Sequence, residues 1–214
     1  VDSAPDIHDI DATPTGYLST VLDNQGNETA TLVASGSNRV YVTIDEIPAD
    51  LQHAFVAIED ARFYEHNGID ITGIIRAGIT GITSGRFSQG ASTITQQLLK
   101  NNVFTDWTSE TSFADKMERK IQEQYLAIQL EKVEDKNWIL ENYLNTINLG
   151  QNTLGVQAAS QRYFNKDVSE LTLSECAVIA GITQNPSRYN PVSNPEANAE
   201  RRGKVLNNML EQGY

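Results

Sequence analysis

This sequence has little cysteine and little positive charge, and it has no long apolar run. Of its 214 residues, one is cysteine, 16 are Lys or Arg and 28 are Asp or Glu, which gives a formal net charge of -12. The single thiol, Cys176, cannot form an internal disulfide, and no Cys/His spacing fits a zinc site. The shortage of cations argues against a nucleic-acid partner, because phosphate neutralisation needs surplus Lys and Arg. No segment approaches 18 consecutive apolar residues, so the sequence predicts no transmembrane helix.

The remaining composition is that of a folded domain, with a short β segment near the start of the chain. Hydrophobic residues make up 39% and charged residues 21%, both ordinary values. Residues 1–15 are polar, acidic and interrupted by proline, so we expect a loose lead-in, followed by a single domain over 16–214. The β-like texture predicts strands in Tyr17–Leu22 and Thr29–Val33, and a third candidate strand in Arg39–Ile44.

After Pro48 the hydrophobic spacing becomes helical and stays so. The first predicted helix contains Leu51, Phe55 and Ile58 and ends near Gly68, a natural left-handed terminator. Further helices are expected over 71–81, 92–102, 112–133, 136–147, 153–163 and 172–182, with a last one from Pro195 toward Gly213. The sequence therefore predicts a mainly α fold with a small β lead-in.

The first helix carries a candidate general base. At 100° per residue, Glu59, Phe63 and His66 share one face beside the apolar stripe. A carboxylate in such a partly apolar setting can serve as a general base. An exposed glutamate with a helix-capping histidine is the structural interpretation, and this helix alone favours it.

The second segment, around the helix predicted at 92–102, has the groups that bind sugars and phosphates. Thr93, Gln97 and Lys100 are aligned, and the backbone at Gly90 can approach a ligand. A hydroxyl, an amide and an ammonium in a row suit sugar hydroxyls and a diphosphate. An amphipathic helix with an ordinary polar side explains the same pattern and is favoured when the segment is taken alone.

The third segment, in the helix predicted at 112–133, places cations around one carboxylate. Lys116, Arg119, Lys120 and Glu123 occupy one helix face, which becomes apolar further along. Such an arrangement keeps the carboxylate ionised and leaves positive charge for a phosphate. A salt-bridged surface face is the structural alternative.

Together these segments resemble the peptidoglycan glycosyltransferase domain, glycosyltransferase family 51, of class A penicillin-binding proteins and monofunctional transglycosylases. The resemblance covers about residues 45–192, with the motifs in the family's order. The first three motifs are Glu59-Asp-Ala-Arg-Phe-Tyr-Glu-His-Asn-Gly-Ile-Asp70, Gly90-Ala-Ser-Thr-Ile-Thr-Gln-Gln-Leu-Leu-Lys-Asn101 and Arg119-Lys-Ile-Gln-Glu-Gln-Tyr-Leu-Ala-Ile-Gln-Leu-Glu131. A fourth is Ile139-Leu-Glu-Asn-Tyr-Leu-Asn145, and a fifth runs from Leu171 to Pro191. The departures are Ala91, where a second glycine is common, and Leu154, where an aromatic residue often precedes Gly155.

The resemblance implies a lysozyme-like, mainly α fold with a larger head lobe and a smaller membrane-facing jaw at about 68–90. It implies that Glu59 removes the proton from the acceptor 4-hydroxyl and that Glu123 is the second essential carboxylate, near the departing diphosphate. The cations implied to bind that diphosphate are Lys100, Arg119 and Lys120. The motif positions implied to shape or support the cleft are Asp60, Phe63, His66, Thr93, Gln97 and Asn101. The resemblance requires no obligatory cofactor, and it leaves room for a divalent cation, Mg²⁺ or Mn²⁺, at Glu123.

The resemblance also implies partners and a location. The substrates would be lipid II and the growing lipid-linked glycan, and the membrane surface would be contacted through residues 71–87, with Thr83–Gln89 as a loop over the donor site. Other cell-wall synthesis proteins are further candidate partners, and no nucleic acid is expected. The expected location is the extracytoplasmic face of the bacterial cell membrane, with anchoring by a segment outside these residues.

Two other functions fit part of the pattern. A lysozyme-like lytic enzyme also uses a helix-borne glutamate, but finished glycan offers no diphosphate for the cluster of Lys100, Arg119 and Lys120. A catalytically dead scaffold for cell-wall proteins would keep the fold, although it would not need both Glu59 and Glu123. An acyl-transferring transpeptidase is excluded within these residues, because the sequence contains no Ser-x-x-Lys.

Overall fold

The structure is a computed structural model that describes residues 4–17, 19–32, 39–76, 92–104 and 112–214. Within these ranges the chain is mainly helical and contains one two-stranded sheet near its beginning. This confirms the predicted fold class, mainly α with a short β lead-in.

The sheet is an antiparallel hairpin of β1 (Ser19–Leu22) and β2 (Glu28–Leu32). The register pairs Ser19 with Leu32, and it shifts between Val21 and Leu22. The side chain of Asp23 accepts hydrogen bonds from two backbone amides of the turn, and Gly26 adopts φ +85, a conformation that favours glycine. Both predicted strands are therefore present, although Val33 lies outside the described residues.

The third predicted strand, Arg39–Ile44, does not form. Arg39 makes an isolated parallel bridge with Tyr17, and the backbone beyond it pairs with side chains instead of a strand. Asn145 accepts from the Val42 amide at 3.0 Å and donates to the Val42 carbonyl at 2.8 Å. Glu141 accepts from the amide of Ile44 at 2.6 Å. Because side chains of a distant helix satisfy these backbone groups, the segment stays extended without joining the sheet.

Most of the predicted helices are present close to their expected bounds. After α1 (Ala49–Glu59) and a helical segment at 71–76, here α2, the helices are α3 (Ile94–Asn102), α4 (Phe113–Val133), α5 (Lys136–Thr146), α6 (Val156–Phe164), α7 (Leu173–Ile182) and α8 (Pro195–Glu211). Short 3-10 helices lie at Ile7–Asp9, Ile44–Glu46 and Val168–Glu170. Thr93 caps α3 by accepting a hydrogen bond from the Gln96 amide, and Thr172 caps α7 by accepting one from the Glu175 amide. The part of the predicted 71–81 helix beyond residue 76, and the predicted loop at Thr83–Gln89, lie outside the described residues.

The first helix is shorter than predicted, because it ends at Glu59 and residues 61–68 form turns. Asp60 leaves the helix with φ -155 and ψ 71, and its carboxylate accepts from the amide of Ile94 at 2.9 Å. At the end of the turns, Gly68 has φ +89, and a Cβ there would meet the Ala127 carbonyl oxygen at 2.4 Å. The turns therefore follow from contacts with α3 and α4, and Glu59, Phe63 and His66 do not share a helix face.

The helices pack in two groups around one buried core. α1 packs against α7 and α8, while α3 packs against α4 and α5. Cys176 on α7 is buried in the core, and burial raises the pKa of its thiol to about 12, which rules out a reactive thiolate near neutral pH. None of the helices in the five described ranges is long and apolar enough to span a membrane. The packing leaves the end of α1 facing α3 and the end of α7, and the site is built there.

Candidate active site

Glu59 is the last residue of α1, and both of its carboxylate oxygens accept hydrogen bonds. Oε2 accepts from Nε2 of Gln97 on α3 at 3.0 Å. Oε1 accepts from the hydroxyl of Thr183, which follows α7 directly. Three helices thus fix the position of one carboxylate, as a general base requires.

The Glu59 side chain lines a cavity of about 240 Å³, which can hold part of a ligand. Its lining combines this carboxylate with hydroxyls, amides and two cationic side chains. The lining residues are Ile58, Glu59, Ser92, Gln97, Lys100, Thr183, Gln184 and Arg201. The cavity therefore brings together a candidate base and groups that bind sugar hydroxyls and anions.

The ammonium of Lys100 interacts electrostatically with both candidate catalytic carboxylates, Glu59 and Glu123. Burial lowers the pKa of its ammonium below the usual lysine range. The negative charge of Glu123 opposes that shift, the cations Lys120 and Arg119 add to it, and Glu59 opposes it more weakly. A partly desolvated ammonium binds an anion more strongly than one in water, since the local dielectric is low. The arrangement suits a diphosphate in the cavity.

Glu123 on α4 is almost fully buried, at 1% exposed, and it is paired with two cations of its own helix. Oε1 accepts from Arg119, four residues earlier, and Oε2 accepts from Nζ of Lys120 at 3.0 Å. Lys120 also donates to the hydroxyl of Ser92 at 2.8 Å, and Ser92 lines the cavity of Glu59. The predicted cation cluster is thus beside the cavity. Lys116 is exposed on α4, and no described ion pair joins it to Glu123.

Several of the residues predicted to shape the cleft are buried beneath it. Asp60 lies 2.9 Å and 3.0 Å from His66 Nε2 and also accepts from the Ile94 amide. The Thr93 hydroxyl donates to the Gly68 carbonyl at 2.7 Å. These contacts join the turns after α1 to the start of α3. They support the geometry of the cleft, and their contribution to activity stays a prediction.

The other predicted cleft residues have different surroundings. Phe63 is fully buried, with its ring edge-on to Tyr64 and to His66. Gln97 holds Glu59 directly. Asn101 is half-buried on α3, one residue after Lys100. Of these residues only Gln97 lines the cavity.

Sequence reasoning missed several residues of the site. Thr183, Gln184 and Arg201 line the cavity, and Tyr143 lies behind it against Gln97. Thr183 and Tyr143 stand within motifs quoted above, but nothing in local spacing links them to Glu59. Arg201 on α8 lies beyond those motifs. Its Nε is buried and has no hydrogen-bond partner among the residues that the structure describes, a signal that only the folded structure gives.

A second ion pair, between the buried carboxylate of Glu131 and the partly exposed Lys136, was also not predicted. Lys136 donates to Glu131 Oε2 at 2.6 Å and to the His66 carbonyl at 2.8 Å. Glu131 also accepts from the hydroxyl of Thr95 at 2.5 Å. This pair joins α4 and α5 to the turns after α1.

The residues around Glu123 do not fit a protein-held divalent cation. Both oxygens of Glu123 are already neutralised by Arg119 and Lys120. Across the part of the chain that the structure describes, no group of three or more His, Cys, Asp or Glu side chains converges to hold a metal ion. Hard divalent cations need several oxygen ligands, and the described residues around Glu123 do not supply them.

Comparisons with known proteins agree on one family. The sequence model of the family described as Transglycosylase matches residues 25–210. Penicillin-binding protein 1F of Bacillus subtilis (strain 168) is 45% identical over 196 residues, which cover 92% of this chain and 26% of that protein. Penicillin-binding protein 1A of Escherichia coli (strain K12) is 48% identical over 176 residues, covering 82% of this chain and 20% of that protein.

A third relative gives the same result. Penicillin-binding protein 1A of Aquifex aeolicus (strain VF5) is 48% identical over 176 residues, covering 82% of this chain and 23% of that protein. This chain therefore spans about a quarter of the length of the curated relatives that it matches.

Proposed function

Because this chain belongs to the transglycosylase family, we propose that it polymerises lipid II into β-1,4-linked glycan strands as a peptidoglycan glycosyltransferase. Family membership also supports the lysozyme-like arrangement expected from the sequence. One observation carries the proposal: Glu59 and Lys100 line the same cavity, so a base and an anion-binding group face one small volume.

The base step belongs to Glu59. Its carboxylate takes the proton of the acceptor 4-hydroxyl while that oxygen forms a bond to C1 of the donor sugar. The bond between C1 and the diphosphate oxygen breaks, and its electron pair leaves with the prenyl diphosphate. Attack from the face opposite the leaving group inverts C1 from α to β. The hydrogen bonds from Gln97 and Thr183 support this role, because they hold the carboxylate in one orientation before the substrate arrives.

The leaving diphosphate is stabilised by cations. Negative charge grows on it as the bond to C1 breaks, and preorganised cations lower the energy of that transition state. Lys100 lines the cavity, and Lys120 donates a hydrogen bond to Ser92, which also lines it. Glu123 holds Arg119 and Lys120 in place by ion pairs, so its proposed role is to position these cations next to the leaving group.

The membrane surface is the second proposed partner, since both substrates carry a prenyl chain. The described part of the predicted contact region, 71–76, exposes Ile71 at 61% and Ile75 at 57%. Exposed aliphatic side chains of this kind insert at the boundary between headgroups and acyl chains. This placement agrees with a location on the extracytoplasmic face of the bacterial cell membrane.

The proposal is tested by giving the protein two substrates in separate reactions. With lipid II in detergent or vesicles, we expect polymer growth and stoichiometric release of prenyl diphosphate. With preformed glycan, we expect no shortening. Shortened glycan without polymer growth would support a lytic enzyme instead, and an absence of both reactions would support a scaffold.

A further inference from the structure

Tyr143 lies directly behind the residue that holds the candidate base. It belongs to α5 and is fully buried, with its ring edge-on to Phe55 at 6.1 Å between centroids. Its hydroxyl donates to Oε1 of Gln97 at 3.3 Å. The other end of the same amide, Nε2, donates to Glu59 at 3.0 Å. A chain of two hydrogen bonds therefore runs from α5 through α3 to the end of α1.

The direction of these hydrogen bonds is fixed at both ends. A carboxylate only accepts hydrogen bonds, so Glu59 requires the NH₂ end of the Gln97 amide. A buried phenol needs an acceptor for its proton, and among the described residues the Gln97 oxygen accepts it. Burial, with the negative charges of Glu59 and Asp60, raises the pKa of Tyr143 well above its ordinary value, so the phenol keeps its proton. Both neighbours impose the same orientation on one amide.

We propose that Tyr143 is a positioning residue: it sets the orientation of the Gln97 amide and, through that amide, the position of the Glu59 carboxylate. The inference rests on the proposed role of Glu59 as the base. Without the phenol, Glu59 still holds the NH₂ end of the Gln97 amide, but the amide oxygen loses the hydrogen bond that fixes it from the other side. The amide is then less restrained, and the Glu59 carboxylate loses part of its fixed orientation in the cavity.

We expect Tyr143 to affect kcat and to have little effect on substrate binding. Tyr143 does not line the cavity, so its hydroxyl does not contact the substrate. Its loss changes the orientation of the base, and misplacing a base lowers kcat much more than it raises KM. A role in packing alone would leave kcat unchanged in Tyr143→Phe, because phenylalanine preserves the ring.

The experiment is a double-mutant cycle on polymerisation of lipid II, using Tyr143→Phe, Gln97→Ala and both together. We expect Tyr143→Phe to lower kcat by about tenfold with KM within about twofold, as expected for one lost hydrogen bond to a positioned group. In the Gln97→Ala background, Tyr143→Phe should have no further effect on kcat, because the residue through which it acts is gone. Wild-type kcat in Tyr143→Phe, or equal losses in both backgrounds, would overturn the proposal.

Two further measurements keep the test decisive. Tyr163→Phe is the matched control. Like Tyr143, Tyr163 donates a hydrogen bond from its phenol and does not line the cavity, but its acceptor is the Leu149 carbonyl. It should keep wild-type kcat. If Tyr143→Phe does not fold, NMR of the unsubstituted protein replaces it: a slowly exchanging Tyr143 hydroxyl proton with a cross-peak to the Gln97 side chain is expected, and its absence contradicts the proposal.

Failure of this inference is distinguishable from failure of the proposed function. Full activity in Glu59→Gln would contradict the assignment of Glu59 as the base, and with it the whole catalytic proposal. An inactive Glu59→Gln beside a fully active Tyr143→Phe would remove only the role of Tyr143.

Discussion

The hydroxyl of Thr183 donates a hydrogen bond to Oε1 of Glu59, although 124 residues separate the two in the chain. Thr183 follows α7, and Glu59 ends α1, so the packing of these two helices brings the groups together. Gln97 donates to the other oxygen from α3. The base is therefore held by the tertiary fold rather than by its own helix.

Replacing Thr183 tests that arrangement. Thr183→Val keeps the shape of the side chain and removes the donor, so we expect kcat for lipid II polymerisation to fall by about five- to tenfold, the effect of one lost hydrogen bond. Thr183→Ser keeps the hydroxyl and should retain most of the activity. Equal kcat in Thr183→Val and the wild type would show that this hydrogen bond does not position the base.

Glu123→Gln tests the buried cluster on α4. The substitution leaves Arg119 and Lys120, whose side chains are 15% and 36% exposed, without the charge of their carboxylate, and losing hydrogen bonds to a charged group costs about 1.5–3 kcal/mol. We expect a large fall in the free energy of unfolding, measured by chemical denaturation, together with loss of polymerisation.

Glu175→Gln is its matched control. Glu175 pairs with Lys166 at a more exposed position, and glutamine can still complete the cap of α7, so the cost should stay below about 1 kcal/mol. A similar cost for both substitutions would mean that burial of Glu123 has no energetic consequence.

Lys100→Met is expected to raise stability while lowering activity. Burial lowers the pKa of Lys100, so the folded state disfavours its charged form relative to the unfolded state. Below the folded-state pKa the folded protein carries this charge, and burying it costs stability. The cost diminishes as pH rises through the folded-state pKa. The gain from Lys100→Met in the free energy of unfolding should therefore be largest at neutral pH and smaller at alkaline pH.

The corresponding measurement is denaturant unfolding of both proteins across this pH range, alongside polymerisation rates. Loss of the ammonium near the leaving group should lower kcat. A less stable Lys100→Met at neutral pH would contradict the assignment of Lys100 as a desolvated cation kept for function.

Asp60→Asn separates support of the cleft from contact with the substrate. Asp60 accepts from the Ile94 amide and binds His66, and it does not line the cavity. We expect the variant to lose about 1–3 kcal/mol of stability, as for a buried hydrogen-bonding group with an unsatisfied partner. KM for lipid II should stay near the wild-type value. A raised KM with unchanged stability would place Asp60 against the substrate instead.

Features that depend on near neighbours in the chain could be predicted from the sequence. Thr93 at the start of α3 and Pro195 at the start of α8 occupy positions that their chemistry favours. Arg119, Lys120 and Glu123 are three and four residues apart on one helix, so their pairing follows from helix geometry. The cation cluster could be predicted for this reason, whereas the choice of Glu59 as the candidate base came from the family resemblance.

Features that depend on distant contacts could not be predicted. The spacing of apolar residues continues past Glu59 as in a helix, yet Asp60 leaves the helix to accept from Ile94, 34 residues later. The alternation in Arg39–Ile44 resembles a strand, yet the side chain of Asn145 binds the backbone of Val42 in place of a partner strand. Local periodicity contains no information about such partners.

The central claim is that Glu59 is the base in polymer synthesis, and the most direct test is the initial rate of polymerisation of lipid II by Glu59→Gln beside the wild type. The amide keeps the shape of the side chain and removes its ability to take a proton, so we predict a folded protein, confirmed by thermal unfolding, whose rate is at least about 100-fold lower. A folded Glu59→Gln that polymerises lipid II within about tenfold of the wild-type rate would contradict the claim, since a general base contributes more than that.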